Sequence, residues 1–253
     1  MRTEDFELMY KLEESYWWFV AMRRITDAIA KNELQKPGLR ILDAGCGTGF
    51  NLRHYQFSHH AEVYGFDITS DAIDWVRKRG SHRIAQASVT DIPFKSESFD
   101  LVFSFDVLQQ LSPGGIQKGI SEMHRVLKPH GFLFARVAAF EWLRSSHDEE
   151  LHTQHRFTRG ELVESLVRAG FKIGRASYAN SLLFPVAVVR RMLKHAGIGG
   201  GTDVRPLPAG LKWIDPIFRG ILSKEAGLMN AGLSLPFGLS VIAYAEKSSS
   251  LHR

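Results

Sequence analysis

In the stretch Asp43-Ala44-Gly45-Cys46-Gly47-Thr48-Gly49 an acid is followed by glycine at every second position. Glycine lets a backbone approach a ligand closely and adopt positive φ without a Cβ clash. The residues before it, Arg40-Ile41-Leu42, read as a buried strand, and Phe50-Asn51-Leu52 as the start of a helix. The glycines therefore fall on a strand-to-helix turn, at the end of a strand where open α/β sheets bind their ligands. A bare turn with no ligand would use the same glycines. A dinucleotide fingerprint would place its third glycine or alanine one residue later, where this chain has Phe50. A loop carboxylate would repel a pyrophosphate but attract a ligand with a cationic amino-acid end. The next apolar run ends in Asp67, whose two oxygens can accept from adjacent ribose hydroxyls. An amino-acid cation, a ribose and an adenine occur together in S-adenosylmethionine.

A second group of reactive side chains lies further on: His147, Asp148, His152, His155 and Arg156. Histidine is the side chain best suited to move a proton at neutral pH. His147 paired with Asp148, or His152, is the candidate base; a polar loop whose histidines cap neighbouring groups is the alternative. The spacing His147-x4-His152-x2-His155 lacks the i, i+4 pair of a helical zinc site, and no cysteine is near, so no metal is expected.

Around these groups the hydrophobic period alternates between strand and helix. Strands are expected at "RILDAG", "AEVYGFDIT", "HRIAQASV", "FDLVFSFDVL", "FLFARVAA", "FKIGRASYA" and "LSVIAYAEK". Helices are expected at "SDAIDWVRKRG", capped by Thr69 or Ser70 and stopped at Gly80, at "IQKGISEMHRVLK", closed by the turn "KPHG", and at "RGELVESLVRAG". Alternating strands and helices imply parallel pairing with right-handed crossovers, hence a doubly wound α/β sheet. Residues 1–36 carry helical spacing and the aromatic group Tyr16-Trp17-Trp18-Phe19. Residues 37–180 read as the core, 181–236 as a helical insertion with a Gly/Pro-rich centre, and 237–247 as the last strand, all in one domain.

Composition narrows the class. The lone Cys46 excludes a disulfide framework and suits a reducing cytosol. The first residues are charged throughout and no apolar run approaches a membrane span, so neither a signal peptide nor a spanning segment is expected. The net charge is +5, but the cations form no block or aromatic-interleaved patch, so nucleic acid is not expected as a partner. The run Leu182–Leu193, ending in Arg190, Arg191, Lys194 and His195, reads as a core-facing helix with a basic tip or as a helix resting on an anionic membrane.

"ILDAGCGTG", "VYGFDIT", "TDIPFKSESFDLVFSFDVL" and "EMHRVLKPHGFLFARV", in this order, resemble the class I S-adenosylmethionine-dependent methyltransferases over residues 40–137. The flanks resemble a bacterial subgroup with an N-terminal "WWF…R" element and a later signature close to "WLRSSHDEELHTQHRF". The resemblance implies a seven-stranded sheet in the order 3-2-1-4-5-7-6 with the last strand antiparallel. It implies that Asp43, Gly45, Cys46, Gly47 and Gly49 face the methionine part, Asp67 the ribose, Ile68, Ser88 and Val89 the adenine, and Phe105 the cofactor from the end of the fourth strand. Trp18 would sit on a helical lid from which Arg23 or Arg24 reaches the cofactor carboxylate. Two positions depart from the family pattern: Ser88 where an acid is common, and Gln109-Gln110 where Glu-His is common. The implied activity is methyl transfer to a small-molecule, glycan or lipid acceptor, most readily at oxygen. The rivals are a silent cofactor-binding scaffold and a nicotinamide-dependent oxidoreductase.

Overall fold

A computed structural model of the chain describes residues 3–195 and 213–248. The Gly/Pro-rich centre of the insertion, residues 196–212, lies outside the described residues. In chain order the elements are α1 (Thr3–Leu12), α2 (Trp17–Ile29), α3 (Lys31–Leu34), β1 (Arg40–Ala44), α4 (Phe50–His59), β2 (Glu62–Asp67), α5 (Ser70–Lys78), β3 (Ile84–Gln86), β4 (Phe99–Phe105), α6 (Pro113–Val126), β5 (Leu127–Ala138), α7 (Ser146–Glu150), α8 (Arg159–Arg168), β6 (Phe171–Ala179), α9 (Phe184–His195), α10 (Asp215–Asn230) and β7 (Ser240–Lys247). The strands form one seven-stranded sheet in the order β3-β2-β1-β4-β5-β7-β6. The pairs from β3 to β5 are parallel, and β7 runs antiparallel to both β5 and β6.

Alternation along β1 sets up the two faces of the sheet. Leu42 and Ala44 join the apolar layer under α6 and α8, while Ile41 joins the layer under α2, α4 and α10. Asp43 shares a face with Ile41, so an acid is built into an otherwise apolar layer. Phe103 anchors that layer, stacked on Tyr55 at 4.5 Å, and truncating such a ring costs about 3–5 kcal/mol. The helix starts follow capping chemistry. Thr69 accepts from the Ala72 amide, Ser112 accepts from Gly115 with Pro113 next to it, and Thr158 with Glu161 forms a capping box.

The largest differences from the sequence reading fall at β5 and β3. Residues 127–130 belong to β5 rather than to a closing turn, because β5 takes a bulge against β4. Phe99 pairs with Leu127 and Leu101 with Phe132, and His130 sits in the left-handed region at φ 61°. β3 shrinks to Ile84–Gln86, paired with Gly65–Asp67 of β2, and one backbone hydrogen bond to the Arg83 carbonyl and one from the Ala87 amide close the two ends of the ladder.

The flanking helices close over the carboxyl end of the sheet. α10 lies along α2: the Trp17 amide donates to Asp215 at 3.3 Å, the Trp17 and Phe218 rings meet edge-on at 5.1 Å, and Arg219 donates to the Ser15 carbonyl at 2.7 Å. Glu225 of α10 is fully buried and accepts from the Ser181 and Leu182 amides at 2.9 and 3.1 Å. This ties the insertion to the end of β6.

Candidate active site

The glycine loop closes tightly on β2. Gly45, Gly47 and Gly49 have φ of 85°, 52° and 79°. A Cβ on Gly45 would lie 2.3 Å from Val107 Cγ2, so no other residue fits there. The Gly45 and Cys46 amides both donate to the Phe66 carbonyl at 2.9 Å. The Gly47 amide donates to Asp67 Oδ2 at 3.0 Å, while Asp67 Oδ1 accepts from the Thr69 amide and hydroxyl. Asp67 is thereby fixed from two sides. Beside Gly47 an added Cβ would meet only Met9, at 4.0 Å, so this part of the backbone stays open.

Beneath the loop, Asp43 is 1% exposed and neither carboxylate oxygen has a hydrogen-bond partner. Burial first, then the charges of Asp67 and Glu13, push its pKa up to about 8, against the opposing influence of Asn51 and Arg136. Burial also pushes the Cys46 thiol well up, which makes it an inert packing group.

A cavity of about 820 Å³ opens above the loop. Its wall includes Trp18, Arg23, Gly45, Cys46, Gly47, Asp67, Ile68, Ser88, Val89 and Phe105, which the sequence singles out. Asp43 and Gly49 are not on this wall; they lie behind it, Asp43 as the buried acid and Gly49 as the left-handed N-cap of α4. Arg23 and Arg24 point to different places. Arg23 reaches the wall with its guanidinium 4.1 Å from the Phe50 ring centre, whereas Arg24 points to Ser223 on α10. The Ser88 hydroxyl is bonded to Thr90.

Several wall residues escape sequence reasoning. Glu13, in the turn after α1, bonds to the Thr48 hydroxyl, and Arg79 donates to Glu13 at 3.0 Å and to the Thr48 carbonyl at 2.9 Å. Burial pushes the Glu13 carboxyl up despite these partners. Arg136 of β5 is buried, pairs with Asp106, and sits within 5.0 Å of the Trp18 and Phe105 ring centres. A charge at an inward position of a core strand was the available signal. Asn180, at the end of β6, is 1% exposed, has φ 60°, lines the cavity, and leaves both amide atoms without a partner. Asp106 and His152 also combine positive φ with a place on the wall, so backbone strain gathers at this end of the sheet.

At the far end of the cavity Asp148 and His152 both reach the wall. His147 lies in α7 with its side chain outside the described residues. Asp148 faces Arg156: Arg156 donates to it at 2.6 Å, both side chains are buried, and the Ser145 amide donates to its other oxygen at 2.7 Å. A carboxylate so committed braces the loop. Gln109, where the family commonly has Glu, is a second brace. Its side chain accepts from the Ala138 amide, and its carbonyl accepts from Gln154 and His155. Among the described residues one group brings three potential metal-ligand atoms within 4.8 Å of one another, namely Asp27, His54 and His59, and none of the three is on the cavity wall.

Residues 42–135 match the family model described as a methyltransferase domain. Over these residues the chain is similar to methyltransferase domains. Over 150 residues it is 31% identical to a malonyl-[acyl-carrier protein] O-methyltransferase of Enterobacter lignolyticus, covering 56% of this chain and 58% of that protein. Over 111 residues it is 35% identical to a probable tRNA methyltransferase 9B of Homo sapiens, covering 42% of this chain and 23% of that protein. The chain thus spans less than two thirds of either curated relative. A SAM-dependent methyltransferase structure from Archaeoglobus fulgidus superposes with a TM-score of 0.58 at 14% identity, over 90% of this chain and 94% of that one.

The donor set around the cavity suits S-adenosylmethionine. A buried acid lacking any hydrogen bond favours a cation nearby, and Arg23, whose pKa burial lowers, favours an anion. These are the two charges of an amino-acid end. Asp67, held at the rim by Gly47, keeps lone pairs for hydroxyl donors.

Proposed function

We propose that the chain transfers a methyl group from S-adenosylmethionine to an oxygen of a small-molecule, glycan or lipid acceptor. The observation that carries this reading is the convergence on one cavity of the open glycine loop, the fixed Asp67 and the buried, unpartnered Asp43 beneath them. Gly45, Cys46, Gly47 and Gly49 shape the seat of the methionine part, with Asp43 favouring its ammonium from below and Arg23 its carboxylate from α2. Asp67 binds the ribose hydroxyls; Ile68, Ser88, Val89 and Phe105 enclose the adenosyl group, and Trp18 covers it. In this reading residues 1–36 are a lid, 37–180 the cofactor core and 181–236 the acceptor side, with 237–247 completing the sheet.

When bound, the cofactor supplies a methyl group on a sulfonium, so the protein's task is alignment, for which effective-molarity estimates allow about 7–11 kcal/mol. His152 takes the proton of the acceptor hydroxyl, its backbone held in a left-handed conformation at the cavity edge. His147 is the neighbouring candidate, and Asp148, through Arg156, keeps the loop in place. Asn180 offers both a donor and an acceptor to the acceptor's polar group. The absence of a basic block from the sequence supports a small or lipid-borne acceptor over nucleic acid, and the lone, buried Cys46 supports a cytoplasmic setting.

The test is a calorimetric titration with S-adenosylhomocysteine and, separately, with NAD. Micromolar binding of the first alone supports the proposal. Binding of NAD overturns it, and binding of S-adenosylhomocysteine without turnover on any acceptor class would leave a cofactor-binding scaffold.

A further inference from the structure

The acceptor side of the cavity opens beside an unusual apolar surface. Leu182, Val186 and Val189 are 44%, 57% and 55% exposed. Their i, i+4, i+7 spacing puts them on one side of the segment that becomes α9, and Pro185 is exposed with them. Phe184 joins this side to two more exposed rings, Trp142 at 6.0 Å and Phe237 at 5.3 Å between ring centres. Contiguous exposed apolar surface of this kind marks an interaction site. Val186 and Ala187 also belong to the cavity wall, so the surface runs into the cavity mouth.

Charge identifies the occupant. α9 reads Phe184-Pro-Val-Ala-Val-Val-Arg-Arg-Met-Leu-Lys-His195, with Arg190, Arg191 and Lys194 and no carboxylate, in a chain of net charge +5. A segment that combines an exposed apolar side with a cation-rich, carboxylate-free sequence suits the interface of an anionic bilayer, and an exposed tryptophan beside it is placed to sit at headgroup depth. No described helix is long and apolar enough to cross a membrane, so the contact is with the surface.

We infer that Leu182, Val186, Val189, Trp142 and Phe237 dock the chain on an anionic membrane surface, with the cavity mouth facing the lipid. The docking rests on this surface alone. That the acceptor is an amphiphile taken from the membrane, its polar group turned to Asn180, rests on the methyl-transfer reading above. The reading favoured by sequence alone, a core-facing helix, accounts for Leu183, which is buried against Ala21 and Leu222, but not for the exposed side.

The experiment is flotation of the full chain with vesicles of phosphatidylcholine alone and with an equal mixture of phosphatidylcholine and phosphatidylglycerol. The expected result is binding to the mixed vesicles at least about tenfold stronger than to the neutral ones, weakened by salt. Val189→Asp and Trp142→Ala, neither on the cavity wall, should each lower that binding by at least about tenfold while S-adenosylhomocysteine affinity stays unchanged. Absence of binding to anionic vesicles, or binding indifferent to both substitutions, overturns the inference. So does a dimer in sedimentation that Val189→Asp dissociates, since a second copy would then cover the surface. Docking that persists in a protein unable to bind S-adenosylhomocysteine would overturn the cavity reading and leave the docking standing.

Discussion

Arg79, at the end of α5, donates to Glu13 just past α1 across 3.0 Å, and the two side chains retain only 4% and 11% of their exposure. The same guanidinium bonds to the Tyr10 and Thr48 carbonyls, so a single buried cation joins the N-terminal helix to the glycine loop. Arg79→Ala should destabilise the fold by about 3–5 kcal/mol, because it leaves Glu13 buried without its charge partner. Urea unfolding measures this. In the double variant with Glu13→Gln the loss should shrink; a loss in the double variant as large as in the single one would assign the effect to packing alone.

Asp67 is tied by Gly47 on one side and Thr69 on the other. Asp67→Ala therefore removes both the hydroxyl acceptor and a bond that shapes the loop. S-adenosylhomocysteine affinity should fall at least about tenfold, the effect of losing one charge-assisted hydrogen bond. Unchanged affinity in calorimetry would remove the ribose assignment.

Asp43 gives a pH signature. Its carboxyl ordinarily titrates near 3.8 and is pushed up to about 8 in the fold. The protonated acid therefore favours the folded state fully at pH below the ordinary value, and that contribution disappears as pH rises towards 8. A cationic ligand needs the ionised form, so its binding at neutral pH must expel a proton. Calorimetry at pH 7 in buffers of differing ionisation enthalpy should find release of about one proton per site. Affinity should rise by up to about tenfold per pH unit between pH 6 and 7.5. Asp43→Asn should abolish both effects; proton release that survives this substitution would place the linkage on another group.

The parts of this fold that sequence displays are those governed by local rules. Gly45 and Gly49 announce a left-handed turn, Thr69 announces a helix start, and strand alternation separates Asp43 from Leu42. What sequence conceals is pairing over distance. Nothing local to Glu13 indicates a partner at Arg79, and Asp148 sits beside His147 in sequence but faces Arg156 in space. The β5 bulge hides behind "KPHG", whose proline and glycine resemble a simple turn. Asn180 was invisible because its significance is the lack of any partner, a property of three dimensions.

His152 and Asn180 divide the acceptor site into a base and a binding group. If His152 takes the hydroxyl proton, His152→Ala should lower turnover by about 10²–10⁴-fold with cofactor affinity unchanged. Asn180→Ala should instead raise the acceptor KM, because it deletes the buried amide that offers a donor and an acceptor at the cavity wall. His147→Ala, measured beside these, separates the two histidines. A loss confined to His147→Ala would move the base back onto α7, and equal turnover in both histidine variants would make the whole loop a scaffold braced by Asp148 and Arg156.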